Sequence, residues 1–357
     1  MNPLWLDKPY YSLDAYIKKT FGEKYYKIAL NGGFTCPNRD GTLSRGGCIF
    51  CSTGGSGDFA QKTDAVSIPA QLSAGRSLFH EKNTGTRFIA YFQAYTNTYG
   101  PVSYLRDIYT AALAVPDVAG ISIATRPDCL GSDVLSLLAE IKALYPDKFI
   151  WVELGLQTIH EQTAAFINRG FPLSVFEEAA AALSRIQIPF IVHVILGLPG
   201  ETKEQMFETC SYLNHIPFSK KPAAALSPSA KDCTHPFTRD CMHPFGKDCL
   251  RPFGIKLQLL HLLKDTVLAD KYLSGELPGF SVLSQEEYTD ILIHCLEILS
   301  PDITIHRLTG DGPKDLLLAP LWSLNKRNVL NTLHRTMRQR GTYQGRCFYD
   351  TGCIHTL

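Results

Sequence analysis

The 357-residue chain contains no run of about 18 apolar residues, so nothing in it reads as a membrane-spanning helix. Its first nine residues, Met1 to Pro9, have neither a cationic leader nor an apolar core of signal-peptide length, which sets a cytoplasmic location as the expectation. No charge of either sign dominates: 35 Lys and Arg stand against 34 Asp and Glu. A net charge near zero gives no overall field toward nucleic acid or a membrane surface, so any such contact must come from a local patch. A hydrophobic content of 45% with 11% aromatics excludes disorder as the overall state and supplies enough apolar surface for a large core.

Cysteine is the residue present in unexpected number. Eleven is an odd count in a chain too long to need disulfide stapling, and in a reducing compartment clustered thiols more often bind metal than pair. Three of them cluster in Thr35-Cys36-Pro37-Asn38-Arg39-Asp40-Gly41 and Gly46-Gly47-Cys48-Ile49-Phe50-Cys51. The Cys48-x-x-Cys51 pair can aim both thiolates at one metal centre, and Cys36 can close on it across a loop made flexible by Gly41, Gly46 and Gly47. Structural zinc takes four protein ligands, and no histidine or fourth cysteine is near in sequence. Three cysteines on an iron-sulfur cubane leave one iron open to a ligand from outside the protein, as a catalytic cluster requires. Zinc with a distant fourth ligand and three inert thiols stay open as alternatives.

Six short apolar runs alternate with helix-like segments, the pattern of βα units around a parallel sheet. They are Tyr26 to Asn31, Phe88 to Gln93, Gly120 to Thr125, Phe149 to Leu154, Phe190 to Leu196 and Ile255 to Leu260. Helices are expected at Pro69 to His80, Val102 to Ala114, Asp133 to Leu144, Ser174 to Arg185 and Lys203 to Leu213. Pattern alone leaves two architectures, an open doubly wound sheet or a partial barrel. Beyond Leu260 the reading is helical: Ser284 to Glu287 has capping-box spacing, and a last helix is expected from Asn325 to Arg340. Three copies of an eight-residue unit, Lys231 to Phe237, Arg239 to Phe245 and Lys247 to Phe253, each carry Asp-Cys and Pro-Phe. They are too short and too proline-broken to stack, so residues 219–254 read as a low-complexity surface insertion.

The cysteine motif resembles that of the radical S-adenosylmethionine superfamily, whose common form is Cys-x3-Cys-x-aromatic-Cys. Here Phe50 is the aromatic residue before Cys51, and eleven residues in place of three separate Cys36 from Cys48. Longer first gaps occur in the branch related to the elongator catalytic subunit. The surrounding text, from Tyr10-Tyr11-Ser12-Leu13 through Phe21-Gly22 and Gly33-Phe34-Thr35-Cys36 to Cys51, is similar to the bacterial YhcC-type family over nearly the whole chain, the repeat excepted.

That resemblance implies a partial (β/α)6 TIM-like barrel of the radical SAM type, an α/β fold with a C-terminal helical extension. Its divisions would be 1–24 as an N-terminal extension, 25–275 as the barrel and 276–357 as the extension. It implies a [4Fe-4S] cluster on Cys36, Cys48 and Cys51 at the C-terminal rim, with S-adenosylmethionine as cosubstrate and an external one-electron reductant. Reductive cleavage would give methionine and a 5′-deoxyadenosyl radical. Phe50 would lie beside the cofactor. Gln93 and Tyr95 follow the strand after which family members carry a Gly-Gly-Glu segment for the methionine amino group, a segment this chain lacks. Arg126 offers a planar fork to the cofactor carboxylate. Glu153 and Gln157 match a Glu-x-Gly-x-Gln segment that accepts ribose hydroxyls, and Gly197 and Leu198 would present backbone to adenine.

His193, inside the fifth run, reads as a core histidine, and His261 lies nearer the rim. Cys129, Cys210 and Cys295 read as ordinary thiols. The last helix puts Arg327, His334, Arg335 and Arg338 on one stripe, a candidate grip for RNA phosphates, and the related elongator subunit acts on tRNA. A radical enzyme of unidentified substrate is the favoured function. A non-catalytic RNA-binding or metal-binding protein that keeps the fold is the alternative.

Overall fold

Each of the long apolar runs forms a strand, and the strands line up in chain order. The computed structural model describes residues 5–55, 57, 60, 67–77, 85–217, 249–310 and 312–348. Within it, β1 (Tyr26–Leu30), β2 (Phe88–Phe92), β3 (Val118–Thr125), β4 (Phe149–Gln157), β5 (Phe190–Leu196), β6 (Gly254–Leu259) and β7 (Thr304–Arg307) form one sheet with every pair parallel. The sheet curls into a half-barrel with β1 and β7 at its edges. This decides between the two architectures in favour of the partial barrel, with seven strands in place of six. The extra strand, Thr304-Ile305-His306-Arg307, is too short to carry a period and lies in the segment expected to be helical.

Helices α1 (Leu13–Phe21), α2 (Ile68–Ser77), α3 (Val102–Leu113), α4 (Ser132–Leu144), α5 (Glu161–Phe166), α6 (Leu173–Arg185), α7 (Lys203–Tyr212), α8 (Val267–Leu273), α9 (Gln285–Ile298) and α10 (Lys326–Gln339) complete the order. Capping boxes start α7 at Thr202 with Gln205 and α9 at Ser284 with Glu287, which satisfies N–H groups the helix leaves without partners. None among the described residues is long and apolar enough to cross a membrane. The outward faces of the strands, such as Ile150, Val152, Leu154 and Leu156 of β4, pack with α3, α4, α6 and α7 in the main core.

The inward faces differ from bottom to top, because successive residues of a strand point to opposite sides. At the N-terminal ends, Ile89, Phe149, Trp151 and Ile191 pack with Phe253 and with Trp5, Tyr11, Tyr16 and Ile17 of the N-terminal segment. The Phe149 and Trp151 rings stack with centroids 4.1 Å apart, and Tyr16 meets Phe253 edge-on at 4.9 Å. This aromatic plug closes the bottom of the half-barrel. The N-terminal segment also caps the exposed edge at β7, where Ile305 donates its N–H to the Tyr11 carbonyl at 2.7 Å.

The last copy of the repeat is not loop. Cys249-Leu250 pairs antiparallel with Ile216-Pro217, Arg251 Nε donates to the Asn214 carbonyl at 2.8 Å, and Phe253 belongs to the plug. Regular pairing therefore resumes at Cys249, and the repeat copies over 231–248 lie outside the described residues. Because Pro217 and Cys249 are paired, a short Gly-Ser turn can join them. Replacing 219–248 with such a turn, with Cys249→Ser to remove that residue's disulfide, should leave the thermal midpoint within a few degrees. Extending the deletion to 253 removes Phe253 from the plug and should cost about 3–5 kcal/mol. Equal loss from both deletions in thermal unfolding would contradict the boundary.

Candidate functional site

Immediately past β1 the chain forms the cysteine loop, whose shape depends on glycines and on amide side chains. Gly41, Gly46 and Gly47 have φ of 97°, 89° and 85°, where a side chain is strained. A Cβ on Gly47 would also stand 2.8 Å from Arg39 Nε. The loop is fastened to the segment after α5: Ile49 N–H donates to the Ile167 carbonyl at 3.1 Å, Asn38 Nδ2 to Asn168 O at 2.5 Å, and Asn168 Nδ2 to Gly47 O at 2.8 Å. Arg39 Nη2 holds the Cys51 carbonyl at 2.8 Å and the Ser52 carbonyl. Net hydrogen bonds of this kind contribute about 1 kcal/mol each, so together they fix the loop without help from the thiols.

Cys36, Cys48 and Cys51 form no disulfide, are half-buried, and all three face one cavity of about 250 Å³ at the C-terminal ends of the strands. Asn38 Nδ2 also points at Cys48 Sγ, at 3.6 Å. Burial first, then the neighbouring Cys51 and Cys36, pushes the Cys48 thiol up to about 12. Among the described residues no three His, Cys, Asp or Glu stand close enough to share one metal ion. A single tetrahedral zinc at about 2.3 Å from each sulfur needs them within roughly 4 Å of one another. A cubane takes one thiolate per iron and accepts wider spacing, so this donor set fits an iron-sulfur cluster better than a lone ion.

Of the residues expected to bind cofactor, Phe50, Gln93, Tyr95, Arg126, Glu153 and Gln157 line the same cavity. Tyr95 (φ 60°) and Gln157 (φ 70°) both hold left-handed backbone, a strained conformation that clusters at functional sites. Tyr95 Oη donates to Thr53 O at 2.6 Å, and its ring fills the space a Cβ on Gly55 would need. The Gln157 Oε1 atom is buried without a hydrogen-bond partner.

Two expected contacts are occupied from within the protein. The Arg126 fork grips Asp128, Nε to Oδ1 at 2.9 Å and Nη2 to Oδ2 at 2.6 Å, and Nη1 donates to Arg169 O at 2.9 Å. Arg126 thus ties the β3 end to the α5–α6 connection in place of offering a free fork. Glu153 is fully buried, and Lys27, Ser122, His193 and Lys256 all donate to its carboxylate. The ribose hydroxyls expected there would compete with four protein donors. Gly197 and Leu198 do not line the cavity: a Cβ on Gly197 would meet Leu283 at 2.9 Å, and Leu198 packs among Ile49, Ile195 and Leu268.

Sequence reading missed the charged layer above the plug. Lys27 of β1, Tyr91 of β2, Ser122 of β3, Glu153 of β4, His193 of β5 and Lys256 of β6 all point inward. Lys27 donates to Glu153 Oε1 at 2.6 Å, Ser122 Oγ to Oε1 at 2.6 Å, and Lys256 Nζ to Tyr91 Oη at 3.0 Å. Burial opposes ionisation of Glu153, yet Lys256, Lys27 and His193 hold its pKa well below the usual carboxylate range. The available signal was a residue with a polar group inside each apolar run. Cys129 also lies near the site, its thiol pushed up to about 12 by burial first and by Asp128 and Cys36 among its neighbours. Cys210 and Cys295 are buried in the main core as expected. Cys347 is exposed, and Cys353 lies outside the described residues. On α10, Arg327, Arg335 and Arg338 are exposed as a stripe, but His334 turns inward to Tyr10 Oη at 3.0 Å.

The sequence model of the Radical SAM superfamily matches residues 35–213, and that of the Radical_SAM C-terminal domain matches 252–339. The Bacillus subtilis (strain 168) protein YtqA is 41% identical over 343 residues, 96% of this chain and 94% of the relative. The Escherichia coli (strain K12) protein YhcC is 32% identical, covering 91% of each chain. Among solved structures, the archaeal Methanocaldococcus infernus Elp3 with an N-terminal deletion superposes with a TM-score of 0.60 at 13% identity, over 90% of this chain and 64% of that one. The last likeness is one of fold.

The buried histidines generate a pH prediction. Burial first, then Lys256, lowers His193 to about 4 despite Glu153, and burial, Lys326 and Arg307 lower His261 to about 4. An unfolded histidine titrates near about 6.5. Between those values the unfolded chain binds protons that the folded chain refuses, so stability is full above the unfolded value and falls as pH drops toward 4. The urea midpoint should fall between pH 7 and 4.5, with His193→Gln recovering on the order of 1–3 kcal/mol of the slope's total. A flat wild-type profile would contradict neutral histidines.

Proposed function

The chain belongs to the Radical SAM superfamily, and from that premise we propose that it is a radical enzyme with a [4Fe-4S] cluster on Cys36, Cys48 and Cys51 and S-adenosylmethionine as cosubstrate. The observation that carries the reading is that the three thiols and the charged half-barrel interior face one cavity. When bound, the cluster supplies an electron for cleavage of the sulfonium, giving methionine and a 5′-deoxyadenosyl radical that takes hydrogen from a substrate.

The protein's own residues orient and exclude. Asn38, Arg39 and Asn168 hold the thiol-bearing loop in place through hydrogen bonds that do not involve metal. The aromatic plug bars water from below, so solvent and substrate share the opening at the rim. Gln93, Tyr95 and Gln157 stand at that rim, between the thiols and the charged layer, where a cofactor would be positioned. Phe50 contributes apolar surface beside Cys51.

The substrate class we propose is RNA, with tRNA as the candidate. The support is electrostatic: α10 carries no acid, and Arg327, Arg335 and Arg338 are exposed along it while Val329, Leu333 and Met337 anchor its other face.

One anaerobic experiment tests both parts. Full chain reconstituted with iron and sulfide should bind about four irons, and with S-adenosylmethionine and a reductant should yield 5′-deoxyadenosine. A Cys36→Ala, Cys48→Ala, Cys51→Ala variant should yield none. Bulk tRNA should raise the yield in the wild type but not in an Arg327→Ala, Arg335→Ala, Arg338→Ala variant. A chain that takes up only zinc and never forms 5′-deoxyadenosine contradicts the enzyme reading. A tRNA response indifferent to the arginines contradicts the RNA contact.

A further inference from the structure

We propose that the charged layer of the half-barrel is a binding site for an oxyanion group carried by the substrate, seated on the Lys256 ammonium. The inference extends the enzyme reading above, since it takes the cavity as the substrate chamber, but it rests on charge and hydrogen-bond accounting in the chamber itself.

Glu153 is the one carboxylate among the described residues that line the cavity. Lys27 and Lys256 both bond it, so the layer holds two amines against one carboxylate, with burial lowering the Lys256 ammonium to about 7 and Glu153 opposing that shift. The remaining lining cations have other partners. Arg126 is paired with Asp128, Arg169 reaches Glu161 at 3.2 Å, and Arg39 is bound to backbone carbonyls. The whole chain carries a net charge of only +1, so this excess is local.

Hydrogen bonding points the same way. An ammonium has three N–H donors. Lys256 gives one to Glu153 and one to Tyr91, which leaves a donor with no protein acceptor among the described residues, on a side chain only 4% exposed. The buried His261 Nε2, which lines the same cavity, has no partner either. A purely structural layer here is a poor use of charge, because apolar residues of similar size usually serve a core as well or better. The plug directly beneath is built in that apolar way.

The site is separate from the cluster loop. Lys256 is the third residue of β6 and Glu153 the fifth of β4, whereas the cysteines lie past the strand ends. Inward positions Gly155 and Gln157 stand between Glu153 and the rim on β4. An anionic group that reaches Lys256 would draw the rest of its molecule down into the chamber and leave the adjoining carbon facing the rim.

Ligand-observed NMR by saturation transfer to acetate, on the full chain without added cofactor and at constant ionic strength in chloride, tests the site. Acetate should bind the wild type. Lys27→Met, which keeps Lys256 on Glu153 but removes the surplus cation, should weaken binding about tenfold. Lys256→Met, which removes the seat itself, should abolish it. Circular dichroism confirms that each variant is folded, and either variant alone carries the test if the other is not. Inorganic phosphate as competitor distinguishes the source: displacement of acetate identifies a general oxyanion site, and its failure to displace identifies a carboxylate site, both within the proposal. No acetate binding by the wild type, or affinities unmoved in both variants, overturns it. A chain that forms 5′-deoxyadenosine yet binds no acetate overturns this site and leaves the enzyme reading standing.

Discussion

One buried carboxylate organises the interior of the half-barrel. Glu153 receives donors from β1 (Lys27), β3 (Ser122), β5 (His193) and β6 (Lys256), so a single side chain of β4 ties five of the seven strands together. An unpartnered carboxylate at that depth would cost several kcal/mol, so the strands must keep the register that brings all four donors to it. The same constraint empties the space above. Closed barrels fill their interior with layers of branched apolar side chains, whereas here a charged layer sits on an aromatic plug and leaves a chamber open toward the rim.

The cysteine loop is the second half of the site, and it is built independently of that layer. Its glycines allow the left-handed turns, its Asn38 amide bonds the segment after α5, its Arg39 guanidinium holds the Cys51 and Ser52 carbonyls, and the Leu268 N–H closes on the Ile49 carbonyl at 2.8 Å. A cluster loop held by backbone carbonyls and amides can present its thiols before metal arrives, which limits the ordering cost of assembling the centre. The two halves meet at the strand ends, where Tyr95 and Gln157 take up left-handed backbone.

Much of this was legible in the sequence. The six long strands and five of the six helices between them followed from apolar runs and turn residues, with ends within about two residues except at β4, whose strand runs on to Gln157, and at α2, where 78–80 lie outside the described residues; α5 was not expected. The Cys36, Cys48 and Cys51 motif is local in sequence and could be read directly. What escaped was non-local. The strand at Thr304–Arg307 is recognisable only by the β6 edge it pairs with, and Phe253 hid inside a repeat that looked like loop throughout. Lys27 and Lys256 were passed over because a single lysine in an apolar run has no meaning until Glu153 is known to face it. Arg126 and Glu153 were read as cofactor contacts, but their partners within the chain, Asp128 and the four donors, are a matter of geometry that spacing does not carry.

The central claim is that the three thiols and the chamber form one site, in which a cofactor bound at the rim meets the metal centre. Electron paramagnetic resonance of the reduced, reconstituted full chain, recorded with and without S-adenosylmethionine, tests it most directly. The account predicts a cluster signal whose line shape changes when S-adenosylmethionine is added, because the ligand reaches an iron left open by the three cysteines. Identical spectra at saturating S-adenosylmethionine would contradict it.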